Sequence, residues 1–247
     1  MMILTSLHCR FVLGGKNLTH ESKTNLTNEA EVYRDFIVLD NVTDSHSTLT
    51  QRTLQSFEYL IKHNYHFHYV LKCDDDTFVN LRAITEELQD RKKKEQFYWG
   101  EFLGGSGILR EGPYAEQKWS ICDTYLPYAY GGGYVLSKDL IELIASNAAF
   151  LMVYNNEDVS LGAWLAPYNI NFHFDARFNT GGVSRGCKKQ FIVMHKVSAE
   201  LMYNYFAAVK KDGLICNRKN KWFGWYGHVY NWNALPSKCC KRRRRIP

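Results

Sequence analysis

Three carboxylates in a row close an apolar run at Tyr69-Val70-Leu71-Lys72-Cys73-Asp74-Asp75-Asp76. Such a triplet fits a solvated turn as readily as a metal site. Its position favours the metal site, because ligands of open α/β sheets bind at the carboxyl ends of buried strands. Side chains alternate along extended backbone, so Asp74 and Asp76 are expected on one face and Asp75 on the other. Two oxygen ligands aimed together suit a hard divalent ion, Mg²⁺ or Mn²⁺, of the kind that also binds diphosphate.

A second acidic pair, Glu157-Asp158, opens a predicted helix. It fits simple pairing with the helix dipole. It also fits a general base that takes the proton from an attacking hydroxyl. Asp158 is the first choice for that base, with Glu157 orienting it or holding the acceptor. Gly131-Gly132-Gly133 precede a short predicted strand and allow either a tight turn or close approach of the backbone to a ligand. His195 follows Val193-Met194 at a strand end, where a lone histidine is structural or supplies a third metal ligand through a neutral ring nitrogen.

The elements that must hold these residues alternate along the chain. Strand-like runs cover 10–13, 35–39, 67–73, 97–103, 134–136 and 191–194. Helical spacing covers 48–62, then Leu81, Ile84 and Leu88, then 138–145 with Ser137 as N-cap. Two more helices are expected at 157–165, stopped by Pro167, and at 198–210. This order predicts an α/β fold, a mainly parallel sheet flanked by helices. No linker divides it, so a single domain over 1–240 and a basic tail over 241–247 are expected.

Composition narrows the function. The chain has 247 residues, 45% of them hydrophobic, enough for one well-buried core. Five of the six net positive charges sit in Lys241, Arg242, Arg243, Arg244 and Arg245, leaving the body nearly neutral. A nucleic-acid binder would spread its basic residues along a face, so that class is excluded. Cys73 lies in an apolar run and reads as a buried thiol. Cys9, Cys122, Cys187, Cys216, Cys239 and Cys240 form an even set that suits an oxidising compartment, with the pairing open. No Cys/His spacing matches a zinc site. Sequons at Asn17, Asn25 and Asn41 point the same way. No run approaches the ~20 apolar residues that span a bilayer.

Taken in order, these segments resemble the β-1,3-galactosyltransferase family of GT-A fold. The likeness rests on Arg10-Phe11-Val12-Leu13-Gly14, on Asp44-Ser45, on Lys72 through Phe78, on Phe97-Tyr98-Trp99-Gly100, on Gly131 through Ser137 and on Glu157-Asp158-Val159. The resemblance implies an inverting transfer of galactose from UDP-galactose, with Mn²⁺ or Mg²⁺ held by Asp74, Asp76 and His195 and with Asp158 as base beside Glu157. It implies Asp75, Lys72 and Asp44 at the nucleotide, and Gly131, Gly132, Gly133 and Trp99 around the donor sugar or acceptor. Tyr125-Leu126-Pro127, Ser184-Arg185-Gly186-Cys187 and Cys239-Cys240 are most similar to family members that build the proteoglycan linkage tetrasaccharide. The implied acceptor is then galactosyl-xylose on a proteoglycan core protein, reached in the Golgi lumen. The chain starts where the family's second strand begins, so the resemblance implies a membrane anchor, stem and first strand upstream; Arg52 stands where the family has Lys. Other β-1,3-hexosyl donors (UDP-GlcNAc or UDP-GalNAc) and a non-catalytic glycan-binding form are the alternatives. Phosphoryl transfer is set aside, since no second acidic metal cluster or phosphate loop accompanies the triplet.

Overall fold

The computed structural model describes residues 7–91, 95–183 and 185–216. β1 (Phe11–Gly14) pairs in parallel with β2 (Phe36–Leu39) across the polar helix α1 (His20–Tyr33). α1 starts where the Thr19 hydroxyl accepts from the Ser22 amide, and it buries none of its residues. α2 (Leu49–Lys62), β3 (Tyr69–Cys73), β4 (Phe78–Val79), α3 (Leu81–Asp90) and β5 (Phe97–Leu103) follow. Then come β6 (Tyr128–Ser137), α4 (Lys138–Ser146), α5 (Glu157–Leu165), β7 (Asn171–Phe174), β8 (Phe178–Asn179), β9 (Val193–Met194) and α6 (Ala199–Asp212).

The central sheet has the order β3-β6-β5-β7, and β4-β9-β8 form a smaller one. β6 runs antiparallel to both β3 and β5, while β5 and β7 are parallel. The sheets are therefore mixed, against the mainly parallel arrangement expected. Residues 104–127, which join β5 to β6, carry no helix to return the chain across the sheet. β6 thus enters at the end where β5 left.

β5 and β6 are buried on both faces, which fixes their register. Tyr98, Phe102, Tyr134 and Leu136 meet Leu54, Phe57, Ile141 and Trp164 from the helices on one side. Phe97, Trp99 and Val135 meet Ile84, Phe178 and Val193 on the other. Each such side chain contributes ~1.5–3 kcal/mol by leaving water, so a slip of one residue would be heavily penalised.

Several expectations need correction. Ser137 makes no side-chain cap to α4; its hydroxyl accepts from the Phe97 amide at 2.9 Å and ties β6 to β5. Cys73 is exposed, because it ends a strand at the edge of the central sheet. Cys187 pairs with Cys216, while Cys9 and Cys122 are free thiols. Cys239, Cys240 and the basic tail lie outside the described residues.

Candidate active site

β3 stops at Cys73 and the chain turns at once, with the Thr77 amide donating to the Asp74 carbonyl at 3.1 Å. Asp74 and Asp76 do converge, but through this turn and not by strand alternation; Asp75 is exposed. β9 pairs with β4 and delivers His195 to the same spot. One ligand atom from each of Asp74, Asp76 and His195 lies within 4.8 Å of the others. His195 Nε2 is 3.4 Å from Asp74 Oδ2 and 3.2 Å from Asp76 Oδ1.

Hydrogen bonding says what these atoms offer. His195 Nδ1 faces the Thr180 carbonyl at 3.2 Å. A carbonyl only accepts, so in the neutral ring Nδ1 carries the proton and Nε2 presents a lone pair. Asp76 Oδ1 is buried and has no hydrogen-bond partner. Three electron-pair donors, one of them orphaned, therefore point into one space. A hard divalent cation fits that donor set.

The base side is built differently. α5 begins at Glu157, with Asn156 in extended conformation before it. The preceding loop is anchored: Glu116 accepts from the Asn155 amide at 2.6 Å, and the Asn156 side chain donates to the Tyr114 carbonyl at 2.9 Å. Glu157 is buried, accepting from the Tyr134 hydroxyl on one oxygen and meeting Lys72 Nζ at 3.4 Å on the other. Asp158 accepts from the Gly131 amide at 3.0 Å and from the Val159 amide at 2.8 Å. Burial, and then the neighbouring charge of Glu157, push the Asp158 carboxyl up to about 6 against those two hydrogen bonds and Lys72. That value lies near the working range of a general base.

Lys72 joins the two sides. Its ammonium donates to Asp74 Oδ1 and to the Gly131 carbonyl, both at 2.7 Å, and to Glu157 at 3.4 Å. Burial alone would lower its pKa, but Glu157 and Asp74 outweigh it and hold the amine above its ordinary value. An ammonium has three protons, and all three are spent. Lys72 thus spends its donors within the site, where the resemblance implied a contact to the nucleotide.

The glycines lie inside β6, not before a strand. Gly100 of β5 faces Tyr134, yet Phe102 faces Ala129, so residues 130–133 bulge from the ladder with β5, while Gly133 stays paired with Cys73 of β3. Bulges of this kind re-aim backbone beside functional sites. Here the Gly131 amide reaches Asp158, and the Gly132 carbonyl accepts from the Thr77 hydroxyl at 2.7 Å. A Cβ on Gly132 would lie 2.5 Å from His195 Cγ, so only glycine leaves room for the ring.

Other expected residues fall elsewhere. Trp99 is 0% exposed, with its indole N–H donating to Asp175 at 2.9 Å, and has no face to offer a sugar. Asp44 stands at the carboxyl end of β1, paired with Arg52 and accepting from the Gly14 amide at 3.3 Å. Asn17, Asn25 and Asn41 are all exposed. Tyr134, Thr77 and Thr180 support the site and went unrecognised; no local sequence signal marks them, because their partners are remote in the chain.

A mixed α/β domain carrying these paired acids is consistent with a glycosyltransferase. The sequence profile described as galactosyltransferase matches residues 2–175. Mouse beta-1,3-galactosyltransferase 6 is 37% identical over 240 residues, which are 96% of this chain and 73% of that protein. Human UDP-GalNAc:beta-1,3-N-acetylgalactosaminyltransferase 2 is 32% identical over 148 residues, 60% of this chain and 29% of that protein. Hydroxyproline O-galactosyltransferase GALT6 of Arabidopsis thaliana is 29% identical over 195 residues, 74% and 27% of the two chains. The chain belongs to the galactosyltransferase family, as an enzyme of the β-1,3-galactosyltransferase kind.

Proposed function

We propose that this is a metal-dependent, inverting transferase of GT-A fold that moves galactose from UDP-galactose to a galactose 3-hydroxyl. The acceptor in this reading is the galactosyl-xylose of the proteoglycan linkage region, on a core protein, as for galactosyltransferase II. One observation carries the reading: a cation cradle of Asp74, Asp76 and His195 and a base pair of Glu157 and Asp158 are tied to a single ammonium, Lys72.

Mn²⁺ or Mg²⁺ held by Asp74, Asp76 and His195 would offset negative charge on the departing diphosphate. Asp158 takes the proton of the attacking hydroxyl. Its two accepted N–H bonds fix the carboxylate, and its raised pKa makes it a stronger base than an ordinary aspartate. Glu157, held by Tyr134 and Lys72, adds the negative charge that keeps Asp158 basic. Inversion needs one base and no covalent intermediate, which this layout supplies. The exposed Asp75 and the half-open Asp44 remain available to the nucleotide.

The proposed setting is the Golgi lumen. The Cys187–Cys216 bridge and the exposed sequon asparagines support an oxidising compartment. Among the described residues no helix is long and apolar enough to cross a membrane.

The deciding test is transfer by the purified chain to a galactosyl-xyloside with Mn²⁺, offering UDP-galactose, UDP-GlcNAc and UDP-GalNAc in turn. Transfer from UDP-galactose with a new β-1,3 linkage is expected. Turnover with another donor would reassign the sugar, and glycan binding without any turnover would favour the non-catalytic reading.

A further inference from the structure

We propose that Glu101 is a positioning residue for the cation site, acting on His195 through the backbone of residues 179–181. The inference rests on the cation reading of Asp74, Asp76 and His195. Glu101 interrupts the apolar strand Phe97–Leu103 and is only 5% exposed. A carboxylate is almost never buried so deeply unless its surroundings repay the lost hydration.

The partners of Glu101 show what it is bound to. Its Oε2 accepts from the Thr180 amide at 3.0 Å, the Gly181 amide at 3.3 Å and the Thr180 hydroxyl at 3.4 Å. Arg185 Nη2 sits 3.1 Å from the same oxygen, and Arg185 Nε donates to the Asn179 side chain at 3.0 Å. One buried carboxylate thus clamps the corner that follows β8. From this corner come both hydrogen bonds that fix His195: its amide donates to the Asn179 carbonyl at 3.1 Å, and its Nδ1–H donates to the Thr180 carbonyl at 3.2 Å. Gly132 closes the other side of the ring. The direction of Nε2, and the tautomer that bares its lone pair, are set by backbone that Glu101 holds. Outer partners of this sort tune a ligand histidine as the ligands themselves do.

The test compares the wild-type chain with Glu101→Gln and His195→Ala. Mn²⁺ binding is followed by the electron paramagnetic resonance signal of the free ion. The ring nitrogens of His195 are read by ¹⁵N NMR in metal-free protein at pH 8. Glu101→Gln is expected to weaken Mn²⁺ binding about tenfold and to mix the Nδ1–H tautomer with the Nε2–H form. A purely structural role would leave those ring shifts unchanged. If Arg185, deprived of its counter-charge, unfolds the single variant, the double variant Glu101→Gln with Arg185→Met removes that charge and is read the same way. Wild-type affinity and an unchanged tautomer in a folded Glu101 variant, with His195→Ala weakened, overturn the role of Glu101 alone. Absence of saturable Mn²⁺ binding by the wild type overturns the cation reading and this inference with it.

Discussion

Asp74 and Asp76 leave a strand, and Glu157 and Asp158 begin a helix, yet all four carboxylates belong to one cluster around Lys72 and the glycine bulge. Their surroundings differ in one respect. The Asp74 and Asp76 side chains are 29% and 47% exposed, and Asp76 Oδ1 has no hydrogen-bond donor at all. Both oxygens of Asp158 are occupied by amides, and both of Glu157 by Tyr134 and Lys72. An acidic pair with one oxygen taken by Lys72 and Asp76 Oδ1 left without a donor is open to a cation. A pair saturated with donors is held still, and the burial that comes with it lifts the proton affinity of Asp158. Identical side-chain chemistry is sorted into two jobs by how many N–H and O–H groups the fold points at each.

The comparison can be broken most sharply on the open side. Replacing Asp74 and Asp76 together by Ala is expected to abolish metal-dependent UDP binding, measured by titration calorimetry with and without Mn²⁺. Unchanged affinity in the double variant would remove the cation from this site. On the closed side, Asp158→Asn should lower kcat by ~10²–10⁴-fold while UDP binds as before. A fall in UDP affinity of similar size would mean that the two pairs do not divide their labour.

Acidity gives a second handle on Asp158. The unprotonated carboxylate is the base, so at saturating Mn²⁺ kcat should drop about tenfold per pH unit below about 6. Stability should move the opposite way. The folded pKa, about 6, lies above the ordinary 3.8, so ionising Asp158 costs the fold. That cost is absent below pH 3.8 and complete above pH 6. The shift corresponds to ~3 kcal/mol, and losing one amide partner returns ~1 kcal/mol. In metal-free buffer at pH 8, Asp158→Asn should therefore melt ~5 °C higher than wild type, with the gain fading as pH approaches 4. A lower melting point at pH 8 would show that the pair is not strained as described.

The smallest effect sharpens the boundary of the site. Trp99→Phe removes the donor to Asp175, which keeps Arg177 as a partner. A loss of ~1–2 kcal/mol in denaturant unfolding is expected, with KM for donor and acceptor unchanged. A clear rise in either KM would return Trp99 to the site.

The sequence makes the helices more legible than the sheets. α2, α4 and α5 fall within about a residue of expectation because apolar spacing, or Pro167 as a stop, is a local signal. β4 and β8 are two residues long, too short for any period to register. β6 was read as three residues because glycine is depleted in strands, so the bulged half carried a turn signal. The acidic pairs were visible as residue types at strand and helix ends. Their linkage was not: Lys72 finds its partners 59 and 85 positions away, a fact of tertiary pairing that no window reveals. Trp99 was misassigned because an aromatic residue serves a core and a sugar platform equally well.

Among the glycines, the structure sorts letters that can be rewritten from those that cannot, Gly132 at the site among the latter. A methyl group on Gly107 or Gly182 would meet nothing within 4 Å, whereas on Gly132 it would intrude on the imidazole. A mutational library aimed at new donors can spend its diversity on the first two positions. At 132 every replacement evicts a neighbour before any sugar arrives, so activity there survives only as an empty place in the chain.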